Sequence, residues 1–269
     1  MDSIFTAIVL GIVEGLTEFL PISSSGHLVI ASDLMGFSGP KAATFEVVIQ
    51  VGAILAVLTL YRKRFLGLLH PGSAPSAFSG VRGIVMLLLT SLPAASLGLL
   101  LHGFIKSLFT PATVVAALVC GALLMLVVER LLASKQQHMP VQSLDQLSLR
   151  QALGIGCFQC LALWPGFSRS ASTIMGGMLL GVRREVAAEY SFIAAVPIII
   201  GAAGYDLWKS LSLFSSADVP FFLAGSVCAF VSAIVAMRAF ISILGRNTLK
   251  PFAIYRLLLA VPVYFFMVH

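Results

Sequence analysis

Two short stretches of this chain hold most of its reactive side chains. The first is "EGLTEFLPISSSGH", residues 14–27. Glu14 and Glu18 stand four apart, which puts both carboxylates on one face of a helix. Two acids on one face suit a divalent cation or a carboxylate base. Pro21 ends that helix, because proline pushes the residue before it out of the α region. Ser23, Ser24, Ser25 and Gly26 then form a turn into a second helix. Hydroxyls, backbone N–H groups and a helix start together make an anion site, although an ordinary helix cap would also use these serines. His27 stands beside the hydroxyls and acids, which favours general acid/base work. The second stretch is "PGFSRSAST", residues 165–173. Arg169 lies between Ser168 and Ser170, with Thr173 one turn on. Its planar guanidinium suits phosphate; a salt bridge to Glu14, Glu18, Glu46 or Glu189 would also satisfy it. Acids, a hydroxyl, an imidazole and an arginine form a set that fits metal-assisted phosphoryl transfer. Glu46 with Gln50, and Glu189 with Ser191, read as supports behind the two loops.

The elements that position these groups must be membrane helices. Apolar residues make up 59% of the 269 residues and charged residues 10%, with a mean hydropathy of +1.01. A soluble domain carries roughly a quarter charged residues. Six apolar runs are long enough to cross a bilayer, which takes about 20 residues. They lie near 43–61, 83–101, 111–132, 186–208, 219–237 and 251–268. The start of the chain has no basic segment or cleavage signature, so no removable signal peptide is expected. The net charge of +6 needs no nucleic-acid partner in a membrane chain. The cysteines of "CFQC" read as small apolar residues.

Residues 1–37 and 150–182 are apolar but broken by Gly, Pro, Ser and charge. Irregular backbone at membrane depth survives only where protein or a cavity surrounds it, so both segments read as re-entrant hairpins. The basic residues fit that reading. With the N-terminus outside, the inner segments hold Arg62, Lys63, Arg64, Arg82, Arg130, Lys135, Arg150, Arg183, Arg184, Arg238, Arg246 and Lys250. The outer segments hold only Lys41, Lys106 and Lys209. Twelve against three is a strong positive-inside bias. The hairpins also match each other. Pro21 to Gly36 and Pro165 to Gly181 span 15 and 16 residues, and Pro21 to Glu46 and Pro165 to Glu189 span 25 and 24. The expected fold is one all-α transmembrane domain over 1–269, with six spans and two re-entrant hairpins. Repeat one covers about 1–132 and repeat two about 150–269, with opposite orientation. Inverted repeats of this kind place their site near the midplane, where broken helices meet.

Both long motifs resemble the signatures of bacterial undecaprenyl-diphosphate phosphatases of the bacitracin-resistance type. "TFEVVIQVGAILAV" and the terminal "PFAIYR" are similar to that family too, so the likeness spans essentially the whole chain. "SSS" stands where many members have "SST", which keeps the hydroxyl. The resemblance implies an inner-membrane hydrolase that converts undecaprenyl diphosphate to the monophosphate carrier. It also implies a divalent cation, magnesium or calcium, and a site open to the periplasmic side. By position it makes Glu14 and Glu18 the acidic motif, Ser24 the nucleophile, His27 its acid/base partner and Arg169 the phosphate clamp. Ser24 is expected at the loop tip with His27 in reach. The competing reading is a lipid-phosphate transporter or flippase, since inverted repeats also serve alternating access. Such a protein needs an anion site but no Ser–His pair. The sequence leaves the oligomeric state open, a homo-oligomer included.

Overall fold

The computed structural model describes residues 3–70, 78–210 and 216–268. They form an all-helical bundle, with an isolated parallel bridge between Val141 and Val182 as the only β pairing among the described residues. Five helices are long and apolar enough to cross a membrane: α3 (Pro40–Leu60), α5 (Gly80–Leu100), α7 (Pro111–Leu132), α10 (Arg184–Ser210) and α11 (Val219–Leu244). The sixth expected span is α12 (Lys250–Val268), a helix of 19 residues. Short helices α4 (Arg62–Leu68) and α6 (His102–Ser107) follow α3 and α5.

The two broken segments fold into a pair of closely matched units. α1 (Ile4–Thr17) leads through a turn into α2 (Ser24–Leu34), and α8 (Leu149–Gln159) leads through a 3₁₀ turn into α9 (Arg169–Leu179). With 14 and 11 residues in the first pair and 11 in each helix of the second, none of the four spans a bilayer alone. α2 and α9 are capped alike. Ser23 and Ser168 each take up a left-handed backbone, φ 71° and 77°. Each hydroxyl accepts the N–H three residues on, from Gly26 and Ala171. Thirteen residues after each cap comes a glycine with positive φ, Gly36 and Gly181.

Packing follows the same pairing. α1 lies along α11 and α8 along α5, while α2 rests on α12 and α9 on α7. α3 meets α10, and α7 meets α12. In lipid no hydrophobic force draws helices together, so small residues that let backbones touch decide the contact. Gly11 and Gly15 of α1 face Gly225 and the Ala229–Ala233 turn of α11 so closely that a Cβ on either glycine would collide with backbone or Ser232.

Candidate active site

The turns before α2 and α9 meet in the middle of the bundle. Ser170 Oγ, at the start of α9, donates to the Leu20 carbonyl of the turn before α2 at 2.7 Å. Both turns are pinned by one residue of the last helix. Arg256 of α12 is fully buried, and its guanidinium donates to five backbone carbonyls. They are Pro21 at 3.5 Å, Phe167 at 2.7 Å, Gly166 at 3.1 Å, Ala117 at 3.1 Å and Leu118 at 3.3 Å. Room for the guanidinium exists because position 121 is glycine; a Cβ there would strike it. The signal that could have found Arg256 is its charge inside an apolar run. What it would bind, a set of carbonyls from distant turns, has no sequence signature.

A cavity of about 260 Å³ opens between the two turns, lined by Glu18, Ser23, Ser24, Ser25, Gln50, Ser168 and Arg169, with Ile105 and Phe109 from the α6 region. Ser24 and Arg169 are the first residues of α2 and α9, so two helix N-termini and their unpaired N–H groups face one space. The Ser24 hydroxyl donates to Glu18 Oε2 at 2.7 Å. Glu18 Oε1 accepts from Arg169 Nη2 at 3.2 Å. Arg169 Nη1 donates to the Ser191 carbonyl at 3.0 Å, and its Nε is buried without an acceptor. The arginine is thus held by Ser191 and Glu18 with its Nε–H to spare.

His27 is placed differently from the expectation. Its Nδ1 lies 2.8 Å from the Ser23 carbonyl and its Nε2 2.7 Å from the Tyr255 hydroxyl. A carbonyl only accepts, so Nδ1 carries the hydrogen and a neutral ring takes the Tyr255 proton at Nε2. Ser24 therefore has Glu18, not His27, as its hydrogen-bond partner. Ser170 and Thr173 are buried and brace the second turn: Thr173 Oγ1 sits 2.6 Å from Ser191 Oγ. Gly26 gives its N–H to Ser23. Glu46 accepts from Ser32 at 3.0 Å, near the end of α2. Glu189 sits away from the cavity, where Arg64 and Arg183 are its charged neighbours.

Glu14 is wholly buried and neither carboxylate oxygen has a partner. Glu18, Glu46 and Arg169 are near enough to act on it electrostatically. A carboxylate buried with no donor is costly, and a cation would relieve it. Among the described residues no three His, Cys, Asp or Glu side chains cluster as a metal cage. That donor set fits a magnesium-like ion, which binds through one or two carboxylates and completes its shell with water and substrate phosphate.

The match to known proteins follows the whole bundle. The family model described as bacitracin resistance protein BacA matches residues 7–262. This chain belongs to the BacA family. Curated relatives carry the name undecaprenyl-diphosphatase. The protein of Desulfovibrio desulfuricans is 63% identical over the full length of both chains, and that of Nitratidesulfovibrio vulgaris 61% over the full length of both. The Lawsonia intracellularis protein is 50% identical over 98% of each chain. In this BacA-family chain the cavity is lined by both broken segments, by Gln50 of α3 and by the α6 region, and α12 holds the turns through Tyr255 and Arg256, so the site needs nearly the whole fold.

Proposed function

We propose that this protein hydrolyses undecaprenyl diphosphate to undecaprenyl phosphate and inorganic phosphate, recycling the carrier for cell-wall polymers and conferring bacitracin resistance. The observation that carries the reading is the Ser24–Glu18–Arg169 chain at two converging helix N-termini, in a protein related end to end to undecaprenyl-diphosphatases. The terminal phosphate enters between α2 and α9, and Arg169 turns its forked donors, the spare Nε included, from Glu18 to the phosphate oxygens. Glu18 then takes the Ser24 proton as Oγ attacks the terminal phosphorus. The bond from that phosphorus to the bridging oxygen breaks, and undecaprenyl phosphate leaves. Water next attacks the phosphoserine, Glu18 returns the proton to Oγ, and phosphate departs. The N–H groups of both helix starts face the oxygens where charge accumulates. His27, fixed by Ser23 and Tyr255, positions the first turn. A magnesium or calcium ion held by Glu14 and Glu18 would supply further positive charge at the phosphate.

The fold reading behind this mechanism has six spans, with α12 the sixth, and two re-entrant units, α1–α2 and α8–α9, in an inverted repeat. The matched caps, glycines and packing partners support it. The basic-residue count supports an inner-membrane protein with the cavity open to the periplasm. The test is phosphate release from undecaprenyl diphosphate by protein in detergent, with and without a chelator. Release that requires Ser24 and Arg169 is expected. Binding or movement of the lipid without release would favour a transporter. Full activity after chelation would remove the cation from the scheme.

A further inference from the structure

A second cavity, of about 610 Å³, lies at the far end of the bundle from Ser24. α7 links the two ends. The Thr113 carbonyl near its start accepts from Trp164, beside the second turn, while Glu129 in its last turn lies in the wall of this cavity. Sixteen residues of helix separate them, about 24 Å at 1.5 Å per residue. The floor is a completed network. Arg184 donates to both oxygens of Glu129 at 2.8 and 2.6 Å and to the Asn247 carbonyl at 3.0 Å. Glu129 also accepts the Leu249 N–H at 2.7 Å. That pair is neutral and needs no further charge.

The walls above it carry Arg183, Arg246 and Lys250 against a single acid, Glu185. Glu185 lies 3.1 Å from Arg183 Nε, yet that Nε makes no hydrogen bond. Gln136 Nε2 is likewise buried without an acceptor. Its amide cannot be turned round to cure this, because Oε1 already accepts the Arg184 N–H at 3.2 Å. Two long helices, α10 and α12, begin at this cavity, at Arg184 and Lys250, and each adds a positive dipole end. Surplus positive charge, orphaned buried donors and helix starts all call for one kind of guest: an anion with several acceptor oxygens.

We infer that this cavity is a binding site for a phosphate group, carried either by free phosphate or by the headgroup of an anionic membrane lipid. Basic pockets between membrane helices take lipid phosphates in this way. The site is separate from the reaction cavity and shares no residue with it.

The experiment uses the full chain with Arg169→Ala, so that the reaction site does not report phosphate. This protein is compared with a version also carrying Arg246→Ala and Lys250→Ala, two exposed positions whose truncation leaves the floor intact. One arm titrates inorganic phosphate against chloride at matched ionic strength and follows thermal unfolding. The other reconstitutes both proteins with phosphatidylglycerol or phosphatidylcholine and measures lipid retained on extraction. For a free-phosphate site, phosphate raises the unfolding temperature and the double truncation weakens its half-saturation about tenfold or more. For a headgroup site, phosphatidylglycerol is retained over phosphatidylcholine, and the truncation abolishes the preference. Identical behaviour of the two proteins in both arms overturns the inference. With Arg169 restored, Arg246→Ala plus Lys250→Ala should keep near-normal turnover.

Discussion

The Ser24 hydroxyl gives its hydrogen to a carboxylate that Arg169 also grips. A serine is a weak nucleophile until a base takes its proton, so the partner of that bond decides which substitution hurts most. Ser24→Ala should lower turnover at least as much as loss of a general base, about 10²–10⁴-fold. Ser25→Ala, at an exposed position, should stay within a few-fold. Ser23→Ala removes a helix cap and should cost about 1 kcal/mol of stability with a smaller loss of rate. Equal turnover in all three would reject a phosphoserine and leave water as the attacking group. Glu18→Gln should likewise cost about 10²–10⁴-fold, and His27→Gln less, since His27 touches Ser23 and Tyr255 and not the Ser24 hydroxyl. A steady-state comparison in which His27→Gln is the more damaged would return the imidazole to the role of base. Arg169→Lys should not restore activity, because an ammonium cannot hold Ser191 and a phosphate fork together. Near-normal turnover there would reduce Arg169 to a counter-charge.

At the scale of elements, α12 holds the site together through adjacent residues. Tyr255 reaches His27 on α2, and Arg256 reaches the turn on either side. Arg256→Met would leave the turn carbonyls of Pro21, Gly166 and Phe167 without their donor, at about 1–3 kcal/mol for each that finds no water; those of Ala117 and Leu118 lie inside α7 and keep their helical bonds. We expect Arg256→Met to lose activity and to lower the unfolding temperature, with Arg256→Lys recovering only part of either. Tyr255→Phe, which removes one hydrogen bond, should keep the fold and raise KM or lower kcat modestly. If Arg256→Met unfolds at the wild-type temperature, the turn carbonyls do not depend on it. The helices themselves were legible in the sequence, because length and hydropathy in lipid leave little choice: the apolar runs fall within a few residues of α3, α5, α7, α10 and α12, and the run at 219–237 starts with α11 but stops seven residues short of its end at Leu244. The breaks at Pro21 and Pro165 were legible from proline and glycine. The partners inside the site were not. Ser24 and His27 lie three apart, which allowed a pair, but the left-handed cap at Ser23 turns the hydroxyl toward Glu18. Glu189 mirrors Glu46 in spacing yet meets a different environment.

For the whole molecule, the basic-residue count makes a topological claim. A single cysteine placed at position 63, in α4, should resist a membrane-impermeant reagent applied from outside. One at position 106, in α6, should react. The opposite pattern in intact cells would invert the bundle and close the reaction cavity to the periplasm. The Arg256 clamp carries a consequence for biosynthesis. Both halves of the reaction centre leave the ribosome before α12 does. Until it inserts, neither turn has the donor that fixes its carbonyls, and the notch at Gly121 stands without its guanidinium. Catalytic competence is therefore conferred late, on a chain whose earlier helices are already embedded. A chain ending before residue 250 should insert and stay silent, and co-expressing the missing helix as a separate membrane segment is the way to wake it.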